Sequence, residues 1–500
     1  MDDRLDLGAL TVNGGYFLSR PDWRAEPYLE HDPDATFSHC VTYRDSPQTI
    51  RAALLELIAA ARRKVFVASF FLGDEELTSA LRNAAERLRG GVYVISAIDD
   101  RSLKRGLKDL EDKPESDATE RKRFDELCRA GIYVRGHENC HAKFAVADDR
   151  IALVSSANFT YRALSVTGES GVLIRDLVET ERLARLFARL WHSGCTWEIP
   201  PVPPGSAYTA GPRAVEPWRA EVPQPAAGPD ARVIWTDDGE QHVRRHLLAI
   251  VADARKELLL ATWSLNKMTS HPHLLLSAVR AAAERGVRTR LLVRTFNHRP
   301  GHRAECVAFA EAGVEICADK ETHAKGVFAD ANAGALFSAN FDADHGLTSG
   351  VEIGCRLDGT AALASARRFV RHMMDHGDAV FVRNPAQRDL HDRLLGGWQC
   401  AWPLREHVNV IAADSDWRLL AENCGSGPVL FTLAEEGVVE LIAGIQRWSL
   451  SPDDDAKAYR LMLSSAGEGI SAETYLEDWM QWKGSGKRGF CPAVLARTAR

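Results

Sequence analysis

Two stretches of the chain carry the same polar residues in the same order. In the first, His141 and Lys143 are followed by Asp148, Ser156, Asn158 and then Glu169; in the second, His323 and Lys325 are followed by Asp330, Ser338, Asn340 and Glu352. The interval from His to Asn is identical in both copies, and the closing Glu of the second comes one residue later. An imidazole, an ammonium, a hydroxyl and a carboxamide at one spot suit phosphoryl chemistry. Lys and Asn can donate to phosphate oxygens and offset the charge that builds in the transition state. A histidine can attack phosphorus or protonate a leaving oxygen, and a carboxylate on its other nitrogen would fix the tautomer. Two such sets facing one phosphorus would supply a nucleophile and an acid. That chemistry needs no metal and no cofactor, and none is assigned.

The elements around these residues must bring them together. In a strand, residues i and i+2 share a face, so His141 with Lys143, and His323 with Lys325, are expected to project jointly. Turns at Asp148–Arg150 and Asp330–Gly334 would return the chain along Ile151–Val154 and Ala335–Phe337, setting each Asn beside its His. The flanks repeat too. Apolar runs Val65–Phe71 and Val92–Ile98 alternate with helical patterns in the first copy, as Glu257–Leu265 and Val287–Val293 do in the second. Short apolar runs alternating with helices indicate an α/β fold with buried strands. The expectation is two α/β sandwich lobes related by a pseudo-twofold axis, plus a small C-terminal domain of unknown type. The boundaries read as an N-terminal arm over 1–40, lobes over 41–196 and 231–384, a linker over 197–230, and the C-terminal region 385–500. Nine of the chain's 21 prolines fall between Ile199 and Pro229, which suits an extended linker.

Composition bounds the rest. The 500 residues are 45% hydrophobic and 26% charged, enough for a large core and unlike a disordered or fibrous chain. No window is long and apolar enough to span a bilayer, and Met1–Asp6 does not resemble a signal peptide. Ten cysteines without framework spacing suit a reducing compartment, so the expectation is a soluble, cytoplasmic protein. The net charge of −7 argues against an indiscriminate nucleic-acid coat.

The duplicated H-x-K-x4-D pattern with Ser and Asn downstream resembles the phospholipase D superfamily over roughly residues 42–382. The resemblance implies a metal-independent phosphodiesterase with a phosphohistidine intermediate. His141 would be the nucleophile and His323 the general acid. Lys143, Lys325, Asn158 and Asn340 would bind phosphate with support from Ser156 and Ser338, and Glu169 and Glu352 would orient the histidines. Asp148 and Asp330 would be structural. The chain departs from the pattern at Ser155 and Phe337, where the family has Gly; Phe337 could narrow the second half-site or stack on a base or lipid tail. Arg162 matches a family position that Asp344 occupies in the second copy.

Other features receive plainer readings. His137, Cys140 and His141 lack a second ligand pair at zinc spacing. Gly484–Lys487 lacks a full phosphate-loop pattern and reads as part of a flexible basic tail. The segment 101–123 reads as a solvated insertion, whereas His298 and Arg303, in a loop beyond a strand end, are expected to touch substrate. Six of twelve tryptophans lie beyond residue 384, in a region that could also hold a protein partner. Lacking a leader, a span and a basic amphipathic helix, the chain reads as a cytosolic nuclease acting on DNA or RNA. The alternatives are a phospholipase D or phosphatidyltransferase acting on phospholipid, and a catalytically weak scaffold.

Overall fold

The computed structural model describes residues 14–30, 35–97, 124–202, 211–216, 222–237, 239–297 and 299–386, residues 389 and 393, and the backbone of strands between 409 and 497. The insertion 101–123 and His298 lie outside the described residues. The chain divides into two compact units: Ala25–Arg294 with Phe309–Gly377, and Met1–Arg24 with Thr295–Ala308 and Asp378–Arg500. Both motif copies belong to the first.

Within that unit the fold is mixed α/β, and the strands of the two repeats follow one plan. The first repeat orders them Tyr133–Gly136, Val92–Ser96, Val65–Ser69, Phe144–Ala147, Ile151–Ser155, Glu169–Ile174, Phe37–Thr42. The second orders them Glu315–Ala318, Arg288–Val293, Glu257–Ala261, Gly326–Ala329, Ala333–Phe337, Glu352–Arg356, Val233–Asp237. In each sheet the first three strands are parallel and the remainder antiparallel. Val, Leu, Ile and Ala fill the central strands because both faces are covered, so no polar alternation is needed.

The helices that follow each closing strand cross to the other repeat. Leu177–Arg189 starts at Asp176, whose carboxylate accepts from the amides of Val178 and Glu179. From that helix Glu179 accepts from the amides of Arg232 and Val233 at 3.0 and 2.9 Å, at the first strand of the second repeat. Ala361–His376 packs on Phe37–Thr42 of the first repeat, burying Leu363, Phe369, Val370, Met373 and Met374 on one face. Phe144, Phe187, Trp235, Phe328 and Phe369 thus belong to one core cluster drawn from both repeats.

In the second unit, Gly15–Ser19 pairs antiparallel with Ala379–Arg383, and the Asn297 side chain bonds both the amide and the carbonyl of Phe17 at 2.8 Å. Farther along, strands from Leu419–Ala421 to Lys487–Gly489 form an eight-stranded sheet in sequence order. Its last two strands, Met480–Gly484 and Lys487–Gly489, pair Gly484 with Lys487. Gly484 and Lys487 of the stretch expected in a flexible tail thus lie on paired strands, and Ser485 and Gly486 lie outside the described residues. Trp448 and Trp482 fall on strands of this sheet; Trp398, Trp402, Trp417 and Trp479 lie outside the described residues.

Candidate active site

The motif hairpins form as expected, with one correction at their start. The strands proper begin at Phe144 and Gly326, so His141–Lys143 and His323–Lys325 are the extended approach to a strand rather than part of it. The approach is pinned from the opposite repeat: the His141 amide donates to the Val351 carbonyl at 2.9 Å, and the His323 amide to the Gly168 carbonyl at 2.8 Å. Backbone bonds from Ser155 to the Lys143 carbonyl and from Phe337 to the Lys325 carbonyl close each hairpin at 3.0 and 3.1 Å.

Asp148 and Asp330 sit at the far turns with positive φ of 54° and 52°. Asp148 accepts from the amides of Arg62, Arg63 and Lys64 at 2.6–2.9 Å, and Asp330 from those of Arg255, Lys256 and Glu257 at 2.8–3.0 Å. Although partial burial pushes each carboxyl up, these amides hold both below the usual range. Each Asp anchors its motif turn to the loop entering the neighbouring parallel strand, away from the imidazoles.

At the near end the carboxylates cross. His141 Nδ1 lies 2.9 and 3.1 Å from the two oxygens of Glu352, and His323 Nδ1 lies 2.7 Å from Glu169 Oε1. The partner of each histidine comes from the other repeat. The second contact is close but off the line of a well-aligned hydrogen bond, whereas the first is aligned. Ser156 Oγ donates to Glu169 Oε2 and Ser338 Oγ to Glu352 Oε2, and each serine accepts from the backbone just beyond its own carboxylate. The serines expected to support a phosphate therefore hold the carboxylates instead.

Lys143 and Lys325 are fully buried, and their ammonium groups bond the carbonyls of His141 and His323. Burial brings Lys143 down to about 8 against the pull of Glu352, and pushes Lys325 well below its ordinary range. His323 is brought to about 4 by burial with Lys325 and Lys143 nearby, and His141 is lowered by burial against the pull of Glu352. Glu169 and Glu352 stay below the usual range: burial pushes them up, but the facing histidine, Lys and Ser outweigh it. Asn158 and Asn340 each keep a buried side-chain oxygen without a hydrogen-bond partner. Those oxygens are acceptors and offer an anionic phosphate nothing; the groups that can donate to it are the ammonium groups of Lys143 and Lys325 and the amide nitrogens of Asn158 and Asn340.

Two aromatic residues escaped the sequence reading. The Phe70 ring meets His141 edge-on at 5.3 Å, and the Trp263 ring meets His323 at 5.8 Å. Both follow the carboxyl end of the central parallel strand, beside Ser69 and Thr262, whose hydroxyls accept from the amides of Phe159 and Phe341 at 3.1 Å. Aligning the two repeats through these strands was the signal available, since the carboxyl ends of parallel strands are where α/β sheets build sites.

Other expectations are corrected. Arg303 is buried, its guanidinium over the Tyr16 ring and bonded to the Gly15 carbonyl at 3.2 Å, so it is a packing residue of the second unit. Phe337 is wholly buried, which leaves no ring to stack on substrate. The room that a motif glycine would give is made by the neighbouring strand: Gly354 pairs with Phe337 and Gly171 with Ser155. A Cβ on Gly354 would stand 2.8 Å from Phe337 Cβ, and one on Gly171 would stand 3.0 Å from Ser155 Cβ. Arg162 reaches across to Glu321 at 2.6 Å, while Asp344 pairs within its own repeat with Lys267 at 2.8 Å.

Residues 54–191 match the family described as "Cardiolipin synthase, PLD-like domain". The chain is 26% identical to cardiolipin synthase B of Salmonella typhi over 329 residues, covering 58% of this chain and 70% of the relative. It is 30% identical to cardiolipin synthase 1 of Bacillus anthracis over 137 residues, 27% of this chain and 24% of that one. The fold resembles phosphatidylserine synthase of Haemophilus influenzae Rd KW20 with a TM-score of 0.50 and 14% identity, covering 69% of this chain and 87% of the other. Among the described residues, no helix is long and apolar enough to cross a membrane.

Proposed function

The chain belongs to the phospholipase D superfamily, and on that premise we propose that it transfers phosphatidyl groups between hydroxyl acceptors through a phosphohistidine. The observation that carries the chemistry is the pair of crossed contacts, His141 with Glu352 and His323 with Glu169. A carboxylate on Nδ1 leaves Nε2 of each ring free for the reacting atoms.

In the first half-reaction His141 Nε2 attacks phosphorus, and the bond to the leaving oxygen breaks. That oxygen takes the proton from His323 and departs as an alcohol. Lys143, Lys325, Asn158 and Asn340 donate to the non-bridging oxygens, which carry the growing charge. In the second half-reaction an acceptor hydroxyl gives its proton to His323 and attacks phosphorus. The P–N bond breaks and His141 is restored. Water as acceptor gives hydrolysis; a lipid alcohol gives a new phosphodiester.

The likeness to cardiolipin synthases supports a phospholipid substrate over nucleic acid. The features that suggest a nuclease lie outside the site and say nothing about what fits it. The test is parallel incubation with phosphatidylglycerol vesicles, single-stranded DNA and RNA in EDTA, comparing wild type with His141→Ala. Glycerol release and a new diphosphatidyl product with wild type alone are expected. Cleavage of nucleic acid with no change in the lipid would overturn the substrate class.

A further inference from the structure

The two crossed pairs are not equivalent, and the difference lies two residues before each glutamate. Thr167 precedes Glu169, and its repeat counterpart is Gly350, since Gly168 and Val351 make the same carbonyl contacts to the histidine amides. Thr167 is 5% exposed, and its hydroxyl donates to Glu169 Oε1 at 3.0 Å. That oxygen is the one facing His323 at 2.7 Å. The other oxygen already takes the hydroxyl of Ser156. Among the described residues, Ser338 is the one hydroxyl that donates to Glu352, leaving Oε1 to His141 alone. Gly350 has no side chain to contribute.

Resting on the function proposed above, we propose that Thr167 is a positioning residue that makes the two histidines chemically unequal. By donating to the Glu169 oxygen that faces His323, it weakens the hold of that carboxylate on the imidazole and leaves His323 the readier proton donor. His141 faces a Glu352 Oε1 that no hydroxyl among the described residues shares, which suits a ring that must carry positive charge while bonded to phosphorus. A hydroxyl on an anionic oxygen is a charge-assisted bond, strong enough to change how well that oxygen competes for a second proton. The other charges around His323 are Lys325, Lys143 and Glu169, with Arg294 facing Glu169 and Lys325. Thr167→Val leaves all of them in place, so it isolates the hydroxyl.

The test is titration of the ring signals of His323 and His141 by NMR in the whole protein labelled at histidine, assigned with His323→Gln and His141→Gln. Thr167→Val should raise the His323 midpoint by about 0.5–1 pH unit and leave His141 unmoved, and Thr167→Ser should titrate like wild type. The alkaline limb of turnover on phosphatidylglycerol vesicles, set by the group that must start protonated, should shift upward with His323. An unmoved His323 in Thr167→Val, or equal movement of both rings, overturns the proposal. Because titration needs no turnover, a protein inactive on every diester would refute the function while leaving the role of Thr167 to be judged by the midpoints.

Discussion

Two corners flank the paired histidines, and the repeats place the carboxylate of each corner at a different position. At one, Asp319 accepts from Tyr43 Oη and from Arg44 Nη2, each at 2.8 Å. At the other, the counterpart of Asp319 is His137, and the counterpart of Tyr43 is Asp237, which holds Arg189 and Gln224 at 3.2 and 3.1 Å. The backbone does the same thing in both, Glu321 N donating to Asp319 and Asn139 N to His137 at 2.6 and 3.2 Å. The first corner is packed shut. The second borders a half-open pocket of about 320 Å³ lined by His137, Arg189, Ser193, Gly194, Asp237 and Gly350 among others. A duplicated scaffold has kept one backbone and let its side chains diverge, and Thr167 against Gly350 is the same divergence nearer the chemistry.

The largest expected effects break the equivalence of the crossed pairs. Glu352→Gln should cut turnover by a factor on the order of 10³–10⁴, because an amide no longer enforces the tautomer that frees Nε2 of His141. Glu169→Gln should slow lipid turnover by about 10²–10⁴ yet largely spare a bis(p-nitrophenyl) phosphate, whose leaving group departs without an acid. Steady-state rates on both substrates separate the two; equal losses on both for both variants would mean that the histidines share one role.

Stability should separate the corners. Asp319→Ala strands Arg44, whose side chain is 9% exposed, and should cost about 3–5 kcal/mol in chemical denaturation. His137→Ala, bordering a cavity that water can enter, should cost about 1 kcal/mol. Similar losses would erase the contrast drawn between the corners.

Acid sensitivity follows from the buried rings. His39, bonded to Ser170 Oγ at 2.8 Å, is lowered from 6.5 to about 3 by burial and then by Arg368. Above pH 6.5 the ring is neutral in both folded and unfolded chains and costs nothing. As pH falls from 6.5 toward 3 the unfolded chain binds a proton that the folded chain refuses, so stability drops by about 1.4 kcal/mol per unit in that window. His39→Gln should flatten the fall in melting temperature below pH 6.5; an unchanged slope would place the acid response elsewhere. The smallest effect should come at the motif turns. Asp148→Asn and Asp330→Asn, at half-buried turns, should each cost about 1 kcal/mol, and equally, since they make the same bonds in both repeats.

Much of this was legible in the sequence because it is repeated there. The H-x-K-x4-D copies fixed the hairpins, the candidate groups and the structural Asp turns, and alternating apolar runs indicated the α/β layers. What spacing did not carry was who faces whom. Within one copy, Glu169 is the glutamate that closes the motif opened by His141, yet it holds His323, since the carboxylate reaches across the contact between repeats. Ser156 and Ser338 were assigned to phosphate for the same reason: their distance from the carboxylate depends on the register of neighbouring strands. Phe337 looked like an obstacle because Gly354, on the next strand, was not seen as its complement. Arg303 looked available because a basic loop residue gives no sign of the Tyr16 ring that covers it.

The central claim is that the repeats divide the labour, with the covalent bond on the first. Wild-type protein, incubated briefly with phosphatidylglycerol labelled in the phosphate and quenched in denaturant at alkaline pH, where a P–N bond survives, can be digested and its phosphohistidine located by mass spectrometry. The account predicts label on His141, lost in His141→Ala and enriched in His323→Ala if the same acid also activates the acceptor hydroxyl. Label on His323 in the wild-type protein would contradict it.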